Sequence, residues 1–303
     1  MSGIINTSSF AKALWPGVNA WYGKAYGEYS TEYNKLFDTF QSSKAWEEDV
    51  GVSSFGLAVV KPEGAPISYD TERQAFLTRY QHVVYALGFI ITREIMEDDQ
   101  YDIVGQRKAQ GLAYSMRQTK EIIAANVYNR AFNSSFVGGD GKALLATDHP
   151  NFAGGSWSNK LATDADLSEA ALEQACIDIA GFTNDRGLLI ACKPKTLIIA
   201  RQNMFEAKRI LGTDGRVGTD LNDLNAIKTM GLIPEVVVNH YLTDPDAWFI
   251  RTDVPHGMKH FERRADAFEM DNDFDTENAK FKATARYSFG WTDSRGLYGS
   301  AGA

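Results

Sequence analysis

The feature that most constrains this chain is a strictly alternating segment near its C-terminus. From Lys280 to Trp291 the odd positions are apolar, and the even positions up to Ser288 are polar. Successive side chains of a β-strand point to opposite faces, so a period of two predicts a strand with one buried face. We expect this strand to pair with residues 258–270 across the acidic turn of residues 271–277.

A long amphipathic helix is the second strong pattern. It is predicted to begin at a cap provided by Asp102 and to end near Phe132. A helix of about 30 residues spans on the order of 45 Å. Most basic residues lie off the apolar face, whose positions are Ala109, Leu112, Ala113, Met116, Ile123, Val127 and Ala131.

Helices and strands alternate between the long helix and the terminal strand. Ser168 is expected to open a helix with Leu172, Cys176, Ile179 and Ala180 on its inner face. We expect helices at 169–183, 202–211 and 221–230, and strands at 195–200, 234–240 and 247–252. This mixed order predicts a compact α/β-type domain.

The first 50 residues are unusually rich in aromatic side chains. One set fits a helical stripe, and its members are Tyr26, Tyr29, Tyr33, Phe37 and Phe40. The segment is either a helix packed on its own domain or an arm that buries its aromatics on a neighbouring subunit. Composition alone leaves both interpretations open.

Residues 51–90 are predicted to be mostly extended. Residues 55–60 form a strand-like run, residues 61–66 have the Pro and Gly content of a turn, and residues 83–95 form a second extended stretch. Together they predict a long hairpin with little apolar material at its tip. Such a hairpin is not stable alone and needs a surface to lie on.

Composition narrows the class of protein. The 303 residues are 44% hydrophobic and 23% charged, which is typical of a folded chain. The net charge of −8 argues against a dedicated nucleic-acid binder. Cys176 and Cys192 imply no disulfide framework and are expected to be buried small apolar residues. We also expect no secretory signal and no membrane span, because no sufficiently long apolar stretch occurs.

No pattern of catalytic, metal or cofactor residues emerges. The acidic turn begins like a calcium loop, but Thr276 and Lys282 replace the required Gly and Glu. The glycines at 138–141 lack the spacing of a phosphate loop. Asp148 and His149 could suggest acid–base chemistry, yet they are better explained as residues that fix a connector by local hydrogen bonds. We therefore expect no enzyme activity, no cofactor and no metal.

Three segments together resemble the major capsid proteins of tailed phages, especially Mu-like head subunits. The first is Leu-Leu-Ala-Thr-Asp-His-Pro at 144–150, with Gly154, Gly155, Ser158 and Asn159 after it. The second is Pro-Lys-Thr-Leu-Ile-Ile-Ala at 194–200. The third combines Phe-Glu-Arg-Arg at 261–264, Asp-Thr at 275–276 and the run from Arg286 through Gly290 and Trp291 to Gly296. Their order and spacing carry the resemblance.

The resemblance implies an α+β chain with the HK97-like capsid fold. Residues 1–50 would be an N-terminal arm and residues 51–90 an extended loop that crosses a neighbour. Residues 91–165 and 253–303 would form a peripheral domain around the long helix as its spine. Residues 166–252 would form an axial domain at the capsomer centre, with an adaptable loop at 212–218.

The same resemblance implies a homo-oligomer of pentamers and hexamers that encloses double-stranded DNA. The expected partners are a portal, a separate scaffolding protein and a decoration protein, with DNA held only by non-specific proximity. The subunit would be synthesised in the host bacterial cytoplasm and end in the virion capsid. Candidate intersubunit contacts are Trp15, Trp21, Tyr29, Lys61, Glu63, Arg73, Asp271, Asp273 and Arg286.

Two alternatives accompany this interpretation. An encapsulin-like compartment would use the same fold around enzyme cargo instead of DNA. A hydrolase would use Asp148 and His149. No Lys–Asn crosslinking pair is identified, so covalent crosslinks are not predicted.

Overall fold

The computed structural model describes residues 11–53, 55–97, 101–151, 154–215, 223–273 and 277–303. The helices are α1 (Ala11–Glu28), α2 (Tyr33–Leu36), α3 (Arg93–Glu97), α4 (Tyr101–Asn129), α5 (Glu169–Ala180), α6 (Met204–Gly212) and α7 (Ala226–Met230). The strands are β1 (Asp38–Gln41), β2 (Trp46–Val52), β3 (Gln74–Gln81), β4 (Val83–Ile91), β5 (His149–Pro150), β6 (Ser156–Trp157), β7 (Pro194–Ala200), β8 (Glu235–Asn239), β9 (Trp248–Thr252), β10 (Met258–Asn272), β11 (Ala279–Trp291) and β12 (Leu297–Ser300).

The first sheet has the strand order β1, β10, β11, β4. The predicted terminal strand is β11, and its antiparallel pairing with β10 is confirmed from Met258 opposite Trp291 to Asn272 opposite Ala279. Its odd positions are buried as far as Tyr287, as the alternation requires. These side chains pack against α4 and α1, which cover one face of the sheet.

The long helix is also confirmed, with two differences at its N-terminal end. Helix α4 begins at Tyr101, so Asp102 lies inside the first turn and is not the cap. Its inner face includes Leu112 and Met116, which contact the first sheet's core. Tyr128, near the other end, donates a hydrogen bond of 2.9 Å to the Leu36 carbonyl.

The second sheet has the order β12, β9, β7, β8. Strands β7 and β9 are buried almost throughout because α5 covers one face and a central cluster covers the other. In that cluster Ile198 and Phe249 meet Tyr128 of α4, which joins the two sheets through one core. Residues 297–300, grouped with the terminal hairpin in the sequence, form β12 of this sheet.

The predicted aromatic stripe from Tyr26 to Phe40 is wrong as a single helix. Helix α1 ends at Glu28, and the chain re-enters a single turn of helix at Tyr33 before β1 begins. The Glu121 carboxylate of α4 accepts the backbone N–H groups of Glu32 and Tyr33 at 3.0 and 2.9 Å. These two hydrogen bonds fix the position at which α2 starts. They hold the chain between α1 and α2 out of a continuous helix, so the aromatic residues from Tyr26 to Phe40 do not lie along one helical stripe.

Four smaller predictions also need correction. Residues 55–60 are not a strand, since they have no partner strand among the described residues, and residues 83–95 are a strand only as far as Ile91. Of the helix predicted at 221–230, residues 221 and 222 lie outside the described residues, and the rest is helical only over α7, because Asn225 caps it by accepting the Lys228 N–H at 3.1 Å. Ala180 is exposed at the end of α5, whereas Ser168 caps that helix as expected.

Candidate assembly surfaces

An extended hairpin, formed by β2 and β3 and the loop of residues 53–73, projects from the first sheet. The two strands pair antiparallel from Trp46 opposite Gln81 to Val52 opposite Gln74. Strand β4 follows but pairs with β11, so the hairpin covers residues 46–81 and not the expected 51–90, and residues 55–60 and 83–95 are not its two strands. A two-stranded ribbon of this kind is at best marginally stable without a supporting surface.

The loop of this hairpin exposes large apolar side chains. Val60 is 93% exposed and Tyr69 90% exposed. The same loop exposes Phe55, Leu57, Val59 and Ile67. These side chains flank the turn of residues 61–66, which itself carries little apolar material as predicted. Contiguous exposed apolar surface on a folded subunit marks a site of protein contact.

A buried polar cluster ties the base of the hairpin to the body. The Lys259 ammonium of β10 forms an ion pair with Asp49 of β2 and lies 2.8 Å from His256 Nδ1. Thr292 donates to Asp49 at 2.6 Å and lies 2.7 Å from the Tyr80 hydroxyl. Burial would raise the pKa of Asp49, but the hydrogen bonds from Lys259 and Thr292 outweigh it and hold that pKa below its usual value. The base is therefore fixed by charge-assisted hydrogen bonds.

The loop of the hairpin also contacts its own subunit, at the loop that follows α5. Arg186, in the loop after α5, donates to the Asp70 carboxylate at 2.7 Å and to the Thr71 carbonyl at 2.8 Å. The backbone N–H groups of Gly56 and Thr71 bind the same carboxylate and, with Arg186, lower the pKa of Asp70. The hairpin thus has a defined course while its apolar side chains remain uncovered.

Three of the candidate contact residues lie on this hairpin. Lys61 and Glu63 are exposed near its tip, and the described residues offer neither an ion-pair partner. Arg73 closes the loop through two hydrogen bonds with Ser53: the Ser53 N–H donates to the Arg73 carbonyl, and the Arg73 N–H donates to the Ser53 hydroxyl, both at 2.9 Å. The hairpin brings these three residues to one projecting element.

Helix α1 packs on its own subunit over the part whose side chains are described. Tyr22 stacks on Phe268 of β10 with ring centroids 4.5 Å apart, and Trp21 packs partly buried against the same core. Tyr29 is 42% exposed and contacts the Tyr114 ring at 4.8 Å. The side chain of Trp15 lies outside the described residues. Of the two interpretations, the packed helix therefore holds for residues 19–28.

The acidic turn at the end of the β10–β11 hairpin is partly neutralised by its own subunit. Asp273 accepts a hydrogen bond from Lys280 at 2.5 Å, and Glu277 forms an ion pair with Arg93. Asp271 is exposed and has no ion-pair partner within the described parts of the chain. Residues 274–276 lie outside the described residues. The turn keeps a surplus of negative charge.

Asp148 and His149 do not form a dyad. His149 is fully buried, with Nδ1 2.6 Å from the Asp140 carboxylate and Nε2 3.1 Å from the Asn159 side-chain oxygen. Asp148 points elsewhere, to an ion pair with Lys142. The Asn159 amide also donates to three backbone carbonyls, including that of Leu144 at 2.7 Å. His149 therefore fixes the connector through its hydrogen bonds. Because Asp148 and His149 bind different partners, the structure does not support the hydrolase hypothesis, which needs them as a pair.

Three further findings concern metal binding, membrane spans and the cysteines. Within the described residues, no group of three or more His, Cys, Asp or Glu side chains is placed to hold a metal ion. No described helix combines the length and apolar character needed to cross a membrane. Both cysteines are free and buried, and burial raises the pKa of each thiol to about 11.

Comparisons with known proteins agree with this architecture. A family model described as phage capsid protein matches residues 76–300, about three quarters of the chain. The virus-like particle of Pyrococcus furiosus is 10% identical with a TM-score of 0.56, covering 93% of this chain and 97% of that one. The bacteriophage JBD30 procapsid is 12% identical with a TM-score of 0.53, covering 96% and 75%. A structure from Mycobacterium phage Patience is 10% identical with a TM-score of 0.52, covering 99% and 89%. No curated protein sequence matches.

The fold and its exposed hairpin define a shell-forming structural subunit. The chain belongs to the phage capsid protein family and has the HK97-like fold. Its place is therefore the virion capsid, where copies assemble with one another.

Sequence reasoning missed the buried ion pairs that position these surfaces. Lys120 of α4 binds Glu262 of β10 at 2.9 Å beneath the Tyr33 ring, and Lys259 binds Asp49. The partners are 142 and 210 residues apart in the chain. No local pattern links residues so far apart, so only the fold reveals them.

Proposed function

We propose that copies of this chain form pentamers and hexamers that close an icosahedral shell around double-stranded DNA. The observation that carries this proposal is the hairpin of residues 46–81. Its base is held by the buried Asp49–Lys259 pair, while Val60 and Tyr69 at its far end are almost fully exposed. A rigid base with an uncovered apolar tip suits an element that buries its surface on a neighbouring copy.

The proposed domain roles follow the two sheets. The first sheet with α4 acts as the peripheral domain, with α4 as its spine. The second sheet with α5 to α7 acts as the axial domain at the capsomer centre. Its adaptable loop at 212–218 lies partly outside the described residues. Residues 1–50 act as the N-terminal arm, although their described part also packs on its own subunit.

The proposed intersubunit contacts fall on three elements. The hairpin contributes Lys61, Glu63 and Arg73, the N-terminal segment contributes Trp15, Trp21 and Tyr29, and the terminal hairpin of the first sheet contributes Asp271, Asp273 and Arg286. Trp21 is the weakest of these contact candidates, because its ring is already partly buried against the core of its own subunit.

The proposed partners are other components of a phage head. They are a portal, a separate scaffolding protein and a decoration protein, with synthesis in the cytoplasm of a bacterial host. DNA is held by proximity alone, since a net charge of −8 per copy favours a lining along which packaged DNA slides.

The hairpin's role is tested by changing only its tip. We expect Leu57→Ser with Val60→Ser to abolish closed shells while the subunit keeps its melting temperature, because both side chains are exposed. Leu57→Met with Val60→Ile is the matched control and should assemble like the unchanged chain. Normal closed shells of the serine variant in negative-stain micrographs would contradict the proposal.

The contents of the particles distinguish a DNA shell from a compartment for enzyme cargo, which shares this fold. Purified particles from infected cells should contain genome that resists added nuclease. Particles that contain a defined protein cargo and no protected DNA would favour the compartment.

A further inference from the structure

Three arginines converge on the outer side of the first sheet, on the face that α4 does not cover. Arg263 and Arg264 come from β10 and Arg286 comes from β11. With Val84 of β4 they line a hollow of about 250 Å³. A hollow of this size admits one carboxylate or phosphate group.

A β-bulge brings these arginines together. In a regular strand Arg263 and Arg264 would point to opposite faces. The β10–β11 register shifts on both sides of Arg264, between Glu262 and Arg264 and again between Arg264 and Ala267. An extra residue in one strand re-aims the side chains beside it, so that consecutive arginines reach the same hollow.

The cluster forms no ion pair within the described part of its own copy, and the Glu269 carboxylate, with which Arg264 interacts electrostatically, pairs with Lys282 instead. Arg264 lies directly opposite Arg286 across the two strands, an arrangement that is destabilising for like charges. No carboxylate of the described residues lies within ion-pair distance of any of the three arginines. Arg286 instead donates to the backbone carbonyls of His82 and Ala45 at 3.3 and 3.4 Å. Arg263 Nε is buried without a hydrogen-bond partner in the described chain.

We infer that this arginine cluster is a docking site for the acidic turn of a second copy. The inference rests on the proposed shell-forming function and adds to it the chemistry of one contact. Arg guanidinium groups bind carboxylates in bidentate geometry. Asp271 of the turn is exposed and forms no ion pair among the described residues, accepting only the Asn272 backbone N–H at 2.9 Å, and it is the carboxylate assigned to the hollow.

The turn of the same copy does not reach the cluster. Asp271 lies seven residue steps beyond Arg264 along the extended strand, a distance of about 23 Å. The cluster lies near the middle of the β10–β11 hairpin and the turn at its end, so the contact joins the middle of one hairpin to the tip of the next. Such a head-to-tail contact repeats from copy to copy and closes into a ring when the rotation permits.

The charge pattern favours a protein carboxylate over a DNA phosphate. Proteins that grip DNA neutralise many phosphates with a basic stripe and a basic overall balance. Here three arginines form one isolated spot on a chain with a net charge of −8. Each copy carries both the basic hollow and a complementary acidic turn.

Charge reversal at the two positions tests the contact. We expect Arg264→Glu and Asp271→Arg each to lower the yield of closed shells about tenfold or more, because each places like charges together. The double variant Arg264→Glu with Asp271→Arg restores the opposite charges and should recover to within about threefold of the unchanged chain. Yields are measured by sedimentation and negative-stain microscopy on the full chain, with a thermal melt to verify folding.

Arg209→Glu is the matched control, since Arg209 is exposed on α6 and its ion-pair partner among the described residues is Glu206. Its shell yield should stay at the level of the unchanged chain.

If the unchanged chain assembles and both single reversals assemble equally well, the docking site is wrong while the shell function stands. Absence of recovery in the double variant overturns the pairing. If Arg264→Glu does not fold, Asp271→Arg at the exposed turn decides alone, and undiminished shells overturn the inference. Normal shells of Arg264→Glu that lose only their DNA assign the hollow to phosphate instead. Failure of the unchanged chain to form any shell, even when the other head proteins are supplied, refutes the function itself.

Discussion

Acid should destabilise this subunit through His260, which lies fully buried on β10. Its ring stacks on Phe289 with centroids 4.3 Å apart and meets the edge of Tyr33 at 5.3 Å. Nδ1 lies 3.2 Å from the Thr39 hydroxyl, and Nε2 is buried with no partner among the described residues. Burial, helped by the nearby Lys120 charge, lowers the pKa of His260 from 6.5 to about 3.

The sign follows from proton uptake. Between pH 6.5 and about 3 the unfolded chain binds a proton at His260 that the folded chain excludes, so the free energy of unfolding falls as pH falls. Each pH unit in this window costs about 1.4 kcal/mol. Between pH 8 and pH 4.5 this residue alone removes about 2.7 kcal/mol.

The assay is urea denaturation of unassembled subunit at pH 8 and pH 4.5, compared with His260→Phe. Phenylalanine keeps an aromatic ring against Phe289 but does not titrate. The stability difference between the two proteins should therefore shift by about 2.7 kcal/mol in favour of the variant on acidification. His82, whose pKa burial also lowers, is present in both proteins and cancels. A difference that stays constant between the two pH values would refute the reasoning.

Three further perturbations concern the hairpin and the core. Asp49→Asn leaves the buried Lys259 ammonium without a carboxylate and should lower the free energy of unfolding by about 2–3 kcal/mol in urea titrations. Because the pKa of Asp49 is held below 3.8, the unchanged chain should lose the same contribution only as pH falls below that value, and a loss already complete at pH 5 would contradict this. Lys120→Met strands the Glu262 carboxylate and should cost about 2–3 kcal/mol, whereas an unchanged melt would show that the pair contributes little. Gly139→Ala places a Cβ 2.7 Å from a β3 carbonyl oxygen and should raise hydrogen exchange in the hairpin strands, with Gly141→Ala not producing that change.

The sequence predicts best the elements whose burial is one-sided. Strand β11 and helix α4 each show a single period because each covers one face of the same core. Strand β7 is likewise predicted, since an apolar run bounded by Pro194 and a helix suits a strand buried on both faces.

The extended hairpin is predicted as an element but not in its pairing. Strand β2 alternates poorly between exposed and buried positions, because neither of its faces lies in a core. Its partner β3 begins 22 residues after β2 ends. Pairing between strands so far apart in the chain produces no recognisable pattern in the sequence of either strand. The apolar run at 55–60 attracts a strand prediction, yet its side chains are uncovered in the subunit.

The arginine cluster depends on the fold in a different way. Two adjacent arginines in a strand predict side chains on opposite faces, and only the bulge at Arg264 reverses that expectation. Arg286 was a contact candidate from the sequence because of its motif, but its like-charged neighbour across the strand comes from register alone.

Electron microscopy of the purified chain, prepared alone and from cells that supply the other head proteins, at concentrations that span the onset of assembly, tests the shell-forming role most directly. Closed particles of uniform diameter are predicted, and they should disappear when Leu57 and Val60 of the hairpin tip are both replaced by serine. A folded subunit that stays a monomer or small oligomer at every concentration would contradict the account.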